Sequence, residues 1–379
     1  MYSPLLVLYL AAQLALGSPL DPRAPALSVE LSAPATSVSS IEGLKISAAI
    51  TNTGNEPITL LNYNTVLDDK LPTRSFAITG KDGKAVPFTG IKLSVSLADV
   101  DESSFTTLEA GQTVTTTHDI SALYDFASAG TGSFTFSPAI DFVTVDSASA
   151  SKASAKFVER GREFSRLETV VASNTITIEV TSDVAKRDLE GREPEAEAGT
   201  LQKRARTTCS NASQASFISS SYTEAKSLAS IASSYVSSRG TSDSLYRAYW
   251  GSNTASRVTS VLNGVANENS SSRTLSCTDP YRACGGGVIA YTVTDTTNIY
   301  YCSIFFNEVA HSRLCSGTTV ASRNVRGGTT LHEITHAISN TDDVTYGCAA
   351  DQALSDSRKI INADNYNCFA TQVYANTQC

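Results

Sequence analysis

The chain has 379 residues, 41% of them hydrophobic, which is enough for two or three domains of about 100–200 residues with apolar cores. Its formal net charge is −8. Phosphate backbones repel a net negative chain, so the composition argues against nucleic acid as a partner.

The N-terminus, MYSPLLVLYLAAQLALGSPL, is an apolar run with the length of a signal-peptide core. Ala15 and Gly17 place small residues at the −3 and −1 positions, so we expect a signal peptide over residues 1–17, cleaved after Gly17. An uncleaved anchor or a buried strand is the alternative. No later segment is long and apolar enough to span a bilayer. The sequence therefore predicts a secreted, extracellular protein with no membrane partner.

Residues 25–180 predict an all-β fold. Apolar and polar residues alternate in ALSVELSA, LKISAAITNTG, SFTTLEAGQTVTTTHDI, GTGSFTFSPAIDFVTV and NTITIEVTS. Turns rich in Gly, Pro, Asn and Asp separate these strands at a spacing that is typical of a β-sandwich. The region has one histidine, His118, and no compact cluster of catalytic groups. We interpret it as a sandwich-like propeptide that assists folding or blocks a site elsewhere in the chain.

The next segment, VAKRDLEGREPEAEAGTLQKRARTTC, is charged and lacks apolar periodicity, which indicates an exposed linker. It contains two dibasic pairs, Lys186-Arg187 and Lys203-Arg204. Basic pairs in the exposed linker of a secreted protein suit a processing protease; the alternative is a solvated run of charges. We expect cleavage after Arg204.

Cleavage there divides the chain into a β-rich propeptide, residues 18–204, and a mature domain, residues 205–379, which we expect to be partners. Helical periodicity appears in SFISSSYTEAKSLASIASSYVSS and TASRVTSVLNGVANE. Two strands follow in GVIAYTVTD and NIYYCSIFF, and then a helix in LHEITHAIS and helical structure over much of AADQALSDSRKIINADNYNCFATQVYAN. Helices, a small sheet and a further helix together predict an α+β mature domain.

All eight cysteines lie in this second half. They are Cys209, Cys277, Cys284, Cys302, Cys315, Cys348, Cys368 and Cys379. An even number in an exported chain predicts disulfides, and the absence of a CxxC pair argues against a cysteine zinc site. Two N-x-S/T sequons, at Asn211 and Asn269, predict glycosylation on the secretory route.

The stretch LHEITHAIS contains two of the four histidines, His332 and His336, which share one helix face because they lie at i and i+4. Glu333 directly follows the first. In this H-E-x-x-H arrangement two imidazoles bind zinc, and the glutamate activates water as a general base. The alternative is a pair of surface histidines without a metal. We expect one Zn²⁺ per chain at this helix.

A catalytic zinc needs three protein ligands and an open position. No histidine follows His336, no glutamate follows Glu333, and Met1 is the only methionine, so a Met-turn is excluded. The cysteines are expected to be oxidised. An upstream ligand such as Glu308 or His311 remains an alternative. The downstream carboxylates are Asp342, Asp343, Asp351, Asp356 and Asp364.

HEITH followed by NTDDVTYG resembles the deuterolysins, the aspzincin metalloendopeptidases also called fungal neutral protease 2, whose signature is HExxH followed by GTxDxxYG. Thr341, Asp343, Tyr346 and Gly347 match that signature. Asn340 replaces its first glycine, at a turn position that asparagine tolerates. The order of signal peptide, β-rich propeptide, dibasic site and mature domain also matches. The resemblance implies a zincin-like mature domain in which Asp343 is the third zinc ligand.

The resemblance also implies roles for two further residues. Tyr346 would donate a hydrogen bond to the oxyanion that forms during hydrolysis; the alternative is a tyrosine packed in a turn. Asp364 corresponds to an aspartate in similar proteins, where it would orient a metal ligand or supply a negative pocket that favours lysine. Its alternative is a helix cap or a surface charge.

For the disulfides, the resemblance implies the pairs Cys209–Cys277 and Cys284–Cys302. Among the four remaining cysteines we favour Cys315–Cys379 and Cys348–Cys368. The last of these pairs would tie the turn after the histidine motif to the C-terminal helix.

We therefore predict a secreted, monomeric zinc metalloendopeptidase, made as a prepro-protein, that acts on protein and peptide substrates. A preference for basic substrates is a further hypothesis. Two alternatives remain: a zincin of another subclass with an upstream third ligand, and a non-enzymatic extracellular zinc-binding glycoprotein. Protein hydrolysis that a chelator abolishes and zinc restores would separate the enzyme from the binding glycoprotein.

Overall fold

The computed structural model describes residues 27–145, 165–166, 171–189, 191 and 205–379. The predicted signal peptide and the basic pair Lys203-Arg204 lie outside the described residues. The described residues up to 191 are called the N-terminal region below, and residues 205–379 the C-terminal region. Among the described helices, none combines the length and the apolar character needed to cross a bilayer.

The described part of the N-terminal region consists mainly of short strands. They are β1 (Leu27–Ser32), β2 (Ser37–Ser40), β3 (Lys45–Asn52), β4 (Ile58–Leu61), β5 (Phe76–Thr79), β6 (Ile91–Val95), β7 (Phe105–Leu108), β8 (Thr113–Asp119), β9 (Gly132–Pro138), β10 (Val143–Val145), β11 (Ser165–Arg166), β12 (Val171–Ser173) and β13 (Ile176–Asp183). A 3-10 turn at Glu102–Ser104 and a short helix, α1 (Phe126–Ala129), interrupt them. The alternation in β3 buries Ile46, Ala48 and Ile50 on one face.

Twelve of these strands form three four-stranded sheets, with the orders β12-β1-β3-β8, β11-β10-β4-β7 and β2-β13-β9-β5. Most neighbours are antiparallel, whereas β1 with β12 and β2 with β13 are parallel. Their inward faces share one apolar core that includes Leu27, Ile50, Phe76, Phe126 and Phe134. The thirteenth strand, β6, is in none of these sheets.

The C-terminal region combines helices with a small sheet. Its helices are α2 (Ala212–Arg239), α3 (Ser244–Trp250), α4 (Ala255–Ala266), α5 (Arg326–Ser339), α6 (Cys348–Ala353), α7 (Asp356–Lys359) and α8 (Ala363–Gln378). Its strands are β14 (Arg206–Thr208), β15 (Thr274–Ser276), β16 (Val288–Val293) and β17 (Ile299–Tyr301). The predicted α+β class is confirmed at this level, and both the predicted helical stretches and the β16–β17 hairpin are present.

One predicted strand is shorter than expected. The stretch NIYYCSIFF is a strand only to Tyr301, and Ser303–Asn307 is a 3-10 turn. Phe305 is fully buried and lies 4.2 Å, centroid to centroid, from Tyr301. We attribute the end of the strand to this packing, because Phe305 reaches the core only if the chain turns inward.

Helix α5 lies at the centre of the C-terminal region and contacts α2, α4, α8 and β16. Its first turn approaches α2 so closely that a Cβ added at Gly327 would lie 2.7 Å from the Cβ of Glu224. Glycine therefore permits this contact. The helix ends at Ser339, and Asn340 follows with a left-handed φ of 51°. Asparagine tolerates this conformation, so its replacement of the signature glycine keeps the turn intact.

Strand β6 connects the two regions. It pairs antiparallel with β16 and forms the edge of the five-stranded sheet β14-β15-β17-β16-β6. All five of its residues are buried. A separate apolar cluster at this contact draws Leu93 and Val95 from β6, Val288 and Tyr291 from β16, and Tyr346. The N-terminal region is therefore joined to the C-terminal region by a shared sheet.

The eight cysteines form four disulfides, and the pairs are the same as those expected above. They are Cys209–Cys277, Cys284–Cys302, Cys315–Cys379 and Cys348–Cys368. Both sequon asparagines, Asn211 and Asn269, are exposed. In the first dibasic pair, Lys186 makes an ion pair with Asp295 and Arg187 makes one with Asp183.

Candidate metal centre

Helix α5 carries both histidines of the HEITH motif into the protein interior. The side chains of His332, Glu333 and His336 are at most 3% exposed. The two histidines are one turn apart, and their rings meet edge to face with centroids 4.8 Å apart. Surface histidines would be solvated, so the alternative of an exposed pair without chemistry does not describe this site.

Three candidate ligand atoms converge on one point. The Nε2 atoms of His332 and His336 are 3.1 Å apart. Asp343 Oδ1 lies 2.9 Å from the first and 3.1 Å from the second. Ligands bound tetrahedrally at about 2.0–2.1 Å would be roughly 3.3 Å apart, so the three atoms fit a zinc ion with only a small expansion.

The opposite nitrogens of the two rings are directed toward other groups. His336 Nδ1 is 2.7 Å from the carbonyl oxygen of Thr341, which can only accept a hydrogen bond. That contact keeps the proton on Nδ1 and leaves the lone pair of Nε2 facing the cluster. His332 Nδ1 faces Asp364 Oδ1 at 3.6 Å, too long for a hydrogen bond but close enough for attraction. Both rings are thus oriented as metal ligands are.

The turn after α5 brings Asp343 to the histidines. The backbone of Asp342 is bonded on both sides to the segment that enters α8: its N–H donates to the Ile361 carbonyl at 2.6 Å, and its carbonyl accepts from the Ala363 N–H at 3.0 Å. Asn362 Oδ1 also accepts from the Val344 N–H at 3.0 Å. With the turn fixed on both sides, Asp343 points into the cluster, whereas the side chain of Asp342 points away.

The charges of the cluster are strongly coupled. Burial opposes a charge on His332, yet Asp343 and Asp364 outweigh it and raise the pKa of His332 to about 10. Burial lowers the pKa of His336. Burial alone would raise the pKa of Asp343, but the two histidines outweigh it and hold that pKa below its ordinary value. The three ligand atoms therefore bind a proton strongly between them. A divalent cation would compete with that proton for the same atoms.

Glu333 lies beside the cluster and contributes none of the three converging atoms. Its Oε2 accepts a hydrogen bond of 2.6 Å from Thr292 in β16. Its Oε1 is buried and has no hydrogen-bond partner among the described residues. Burial raises the pKa of Glu333 to about 8, against opposing effects of His332, Thr292 and the Ser94 amide. One carboxylate oxygen is thus fixed while the other is available to a proton.

Tyr346 closes another side of the site. Its ring is nearly parallel to that of His332, and its hydroxyl donates a hydrogen bond of 3.0 Å to the Leu93 carbonyl. Asn64 Nδ2 donates to the same hydroxyl at 3.0 Å. The side chain is 6% exposed, so the phenol is fixed at the metal centre and donates to a carbonyl oxygen there.

Asp364 is completely buried and paired within the C-terminal region. Its Oδ1 accepts hydrogen bonds from Arg323 at 3.0 and 2.5 Å, and its Oδ2 accepts from the Gly347 N–H at 2.7 Å. Burial acts against its charge, but Arg323 and His332 outweigh it and lower the pKa of Asp364 to about 2. Asp351 lies next to it, and burial raises the pKa of that carboxyl. Asp364 therefore faces a candidate metal ligand with its own charge compensated by Arg323.

Strand β6 crosses the metal centre. The Leu93 carbonyl oxygen is 3.3 Å from His332 Nε2, and the Leu93 N–H donates a hydrogen bond of 2.8 Å to Asp343 Oδ2. Arg323 donates to the Val95 carbonyl at 2.9 Å. The peptide bond between Leu93 and Ser94 is therefore held directly at the three converging atoms.

The alternative upstream ligands are elsewhere. Glu308 is buried against Thr329, and His311 lies beside Glu224. Among the described residues, two groups of His, Cys, Asp or Glu side chains are close enough to hold a metal, and neither contains Glu308 or His311. One is the cluster described above. The other includes Cys348 and Cys368, which form a disulfide and so cannot serve as thiolate ligands.

Three residues of the site were not predicted from the sequence: Thr292, Arg323 and Leu93. Thr292 and Arg323 act through contacts made by distant parts of the chain, and single polar residues in a strand or a loop are not distinctive. The strand containing Leu93 could have been found, because apolar and polar residues alternate in IKLSVSL.

Sequence comparison agrees with this geometry. The model of the deuterolysin metalloprotease (M35) family matches residues 5–379. The chain belongs to that family. It is therefore a metalloendopeptidase, a hydrolase that cleaves peptide bonds in proteins or peptides, and the family implies a zinc cofactor. The predictions of family and of enzyme class are confirmed, and the alternative of a non-enzymatic glycoprotein is set aside.

Relatives match over most of their length. A neutral protease 2 homolog from Phaeosphaeria nodorum is 29% identical over 357 residues, which is 89% of this chain and 90% of that protein. A peptidyl-Lys metalloendopeptidase from Armillaria mellea is 29% identical over 360 residues, 92% of each. Penicillolysin from Penicillium citrinum is 29% identical over 355 residues, 91% of this chain and 92% of that one. The solved structure of a zinc peptidase from Grifola frondosa is 23% identical with a TM-score of 0.35, and the match covers 43% of this chain and 96% of that one.

Proposed function

We propose that the protein is a secreted zinc endopeptidase made as a prepro-protein, with one zinc ion held by His332, His336 and Asp343. In this proposal residues 205–379 are the mature, zincin-like domain. Residues 18–204 are its propeptide, which blocks the site until it is removed.

The observation that carries the proposal is the position of the Leu93–Ser94 peptide bond. Its carbonyl oxygen lies 3.3 Å from His332 Nε2 and accepts a hydrogen bond from Tyr346. The strand that contains it runs antiparallel to β16, as an added β-strand does when a peptide binds to a sheet edge. A substrate in the same position would present its scissile carbonyl to the metal centre and its extended backbone to β16.

When bound, the zinc ion would polarise the scissile carbonyl and lower the pKa of water. Glu333 would take a proton from the attacking water at Oε1 and pass it to the nitrogen of the leaving amine. Thr292 holds the other oxygen of Glu333 and so fixes the direction of Oε1. Tyr346 would donate its hydroxyl hydrogen to the carbonyl oxygen as negative charge develops there.

The surrounding residues of the C-terminal region would orient the ligands and the substrate. Asp364 holds its charge opposite His332 Nδ1, and Arg323 fixes Asp364. We therefore assign Asp364 to the orientation of His332 rather than to a lysine pocket, because Arg323 already compensates its charge. Arg323 also donates to the Val95 carbonyl, so it would contact the substrate backbone beyond the scissile bond.

Maturation would remove this obstruction. As long as β6 pairs with β16, the Leu93 carbonyl excludes any other peptide from the metal centre. We propose cleavage after Arg204, in preference to the pair Lys186-Arg187, whose side chains are engaged by Asp295 and Asp183. Monomeric state, secretion and glycosylation at Asn211 and Asn269 complete the proposal.

The decisive experiment expresses the full chain in a secreting host and measures casein hydrolysis by the secreted protein. We expect a mature N-terminus of Ala-Arg-Thr-Thr-Cys, activity that a chelator abolishes, and recovery with zinc. A fully active preparation that begins at residue 18 would contradict the blocking role of the propeptide. Activity that is indifferent to chelation would contradict the assignment of His332, His336 and Asp343.

A further inference from the structure

Lys92 is buried although it is a lysine on an edge strand of its sheet. Its side chain is 5% exposed, and its ammonium group meets four acceptors of the C-terminal region. They are the Asn340 carbonyl at 3.2 Å, Asn340 Oδ1 at 2.8 Å, the Thr341 carbonyl at 2.6 Å and Asp342 Oδ1 at 3.0 Å. Buried ammonium groups are rare unless they are paired, so these contacts define a built site for a cation.

The acceptors lie in the turn between the candidate ligands His336 and Asp343. That turn directly follows the C-terminus of α5, where the carbonyl groups of a helix carry partial negative charge. Asp342 adds a full negative charge. Besides Lys92, Asp342 pairs with Arg74, at 3.1 Å. Both cations belong to the N-terminal region, so removal of that region takes both away from Asp342.

The register of β6 fixes where this site lies relative to the reaction. Leu93 holds its carbonyl at the metal centre, and Lys92 is the preceding residue. A substrate that replaces β6 therefore places at the cation site the residue directly before the one whose carbonyl is attacked. The cation site is formed by the same turn that carries Asp343, so its distance from the metal centre is fixed.

We propose that Asn340, Thr341 and Asp342 form a substrate subsite for a lysine side chain, two residues before the scissile bond on its N-terminal side. This subsite rests on the proposed function, because it assumes that substrates take the path of β6. Lysine fits better than arginine, since a compact ammonium with three donors matches acceptors on several sides, whereas a planar guanidinium favours a flat carboxylate partner. This subsite would give the enzyme a preference for basic substrates at Asp342 and not at Asp364, which is paired with Arg323.

The test uses enzyme matured from the full chain and a peptide series that follows the sequence of β6, acetyl-Ile-X-Leu-Ser-Val-Ser-amide. X is lysine, arginine, norleucine or glutamate; norleucine keeps the four-carbon chain but lacks the ammonium. We expect kcat/KM for lysine to exceed that for norleucine by about tenfold to a hundredfold, the range of a charge-assisted hydrogen bond. Mass spectrometry should find cleavage between leucine and serine.

The matched variants are Asp342→Asn and Asp243→Asn. Asp342→Asn should reduce the ratio of kcat/KM between the lysine and norleucine peptides several-fold, because the carboxylate charge is lost. Asp243 caps α3 far along the chain and contacts Tyr235, and asparagine retains capping ability, so Asp243→Asn should leave the ratio unchanged.

The outcomes separate the subsite from the proposed function. If neither casein nor any peptide is hydrolysed, the proposed function fails. If peptides are cleaved with equal kcat/KM for lysine and norleucine, or at another bond, the subsite is wrong while the function stands. If the lysine preference survives Asp342→Asn, the assignment to this turn is wrong. Should Asp342→Asn fail to fold, the wild-type peptide series still decides the proposal.

Discussion

The two regions of the molecule are stabilised in different ways. All four disulfides lie in the C-terminal region, and they join segments from Cys209 to Cys379. The N-terminal region contains no cysteine and relies on the packing of its sheets around Phe76, Phe126 and Phe134. A cut after Arg204 would leave every covalent cross-link with the region that holds the metal-binding cluster. Under the proposed processing, the cross-linked C-terminal region would remain and the N-terminal region, which has no cross-link, would be removed.

The contact between the regions is concentrated at one strand. Both faces of β6 are buried, one toward the apolar cluster of Leu93 and Val95 and the other through Lys92 and Ser94. A loop laid over the metal-binding cluster would leave the sheet edge of β16 unpaired. Here β6 pairs with that edge, and under the proposed function it occupies the hydrogen-bonding positions that an extended substrate would take.

The largest effect should come from Glu333→Gln, which tests whether Glu333 of the C-terminal region is the general base. Glutamine keeps the shape but cannot carry a proton between water and the leaving amine. We expect kcat to fall by about 10²–10⁴-fold, the usual contribution of general acid–base catalysis. Zinc content after dialysis should remain at one ion per chain, because Glu333 is beside the three converging atoms. Loss of zinc in proportion to activity would contradict the role of general base.

The two adjacent aspartates provide the next test, since one faces the metal centre and the other faces the N-terminal region. Asp343→Asn should weaken zinc binding by more than the factor of about 10–100 that is typical for residues beyond the ligands. Asp342→Asn should keep its zinc, because the side chain contacts Arg74 and Lys92 instead. Metal analysis after dialysis measures both. If Asp342→Asn loses zinc while Asp343→Asn retains it, the ligand assignment is off by one residue; if both retain it, the third ligand lies elsewhere.

The sequence predicts more of the metal-binding residues than of the residues that surround them. His332, Glu333 and His336 follow from helical spacing, and Asp343 from the signature after the helix. The turn that brings Asp343 inward is held by Ile361 and Asn362. These two residues form a break between α7 and α8, within a stretch that the sequence predicts to be mostly helical. Arg323 and Thr292 reach the site through tertiary packing, which leaves no local pattern.

Strand β6 is the most informative element that was not predicted from the sequence. Its alternation in IKLSVSL is that of a half-buried strand, so a sequence pattern would predict that Lys92 and Ser94 face solvent. They are buried because the C-terminal region covers that face. The burial of a polar strand face depends on which element packs over it. That element belongs to the other region, so the local sequence pattern does not predict the burial.

The disulfides give a third test of the difference between the regions. Replacement of both Cys348 and Cys368 by alanine should lower the free energy of unfolding of the C-terminal region by roughly 2–4 kcal/mol. Trp250 is the only tryptophan and is fully buried in the C-terminal core, so its fluorescence reports this transition alone. A denaturant midpoint unchanged from the wild type would show that the cross-link contributes nothing. Peptide mapping without reduction checks all four pairs.

The smallest effect should come from Lys92→Met, which weakens the contact between the regions without touching the metal-binding cluster. Methionine preserves much of the length and the apolar stem but leaves the acceptors at Asn340, Thr341 and Asp342 without their cation. In a chain whose processing is blocked by Lys203→Ala and Arg204→Ala, residual activity reports how often β6 leaves the site. We expect Lys92→Met to raise that activity about tenfold, as for the loss of a charge-assisted hydrogen bond.

The matched control for this last variant is Lys45→Met, which removes the same charge from an exposed position on β3. It should leave the residual activity of the unprocessed chain unchanged, because Lys45 lies outside β6 and its substitution disturbs no contact described at the metal centre. Equal activity in the two variants would mean that Lys92 does not hold the strand. A rise with Lys92→Met alone would mean that the cation site fixes the N-terminal region in place, since the pairing of β6 with β16 and the Leu93 contacts are the same in both proteins.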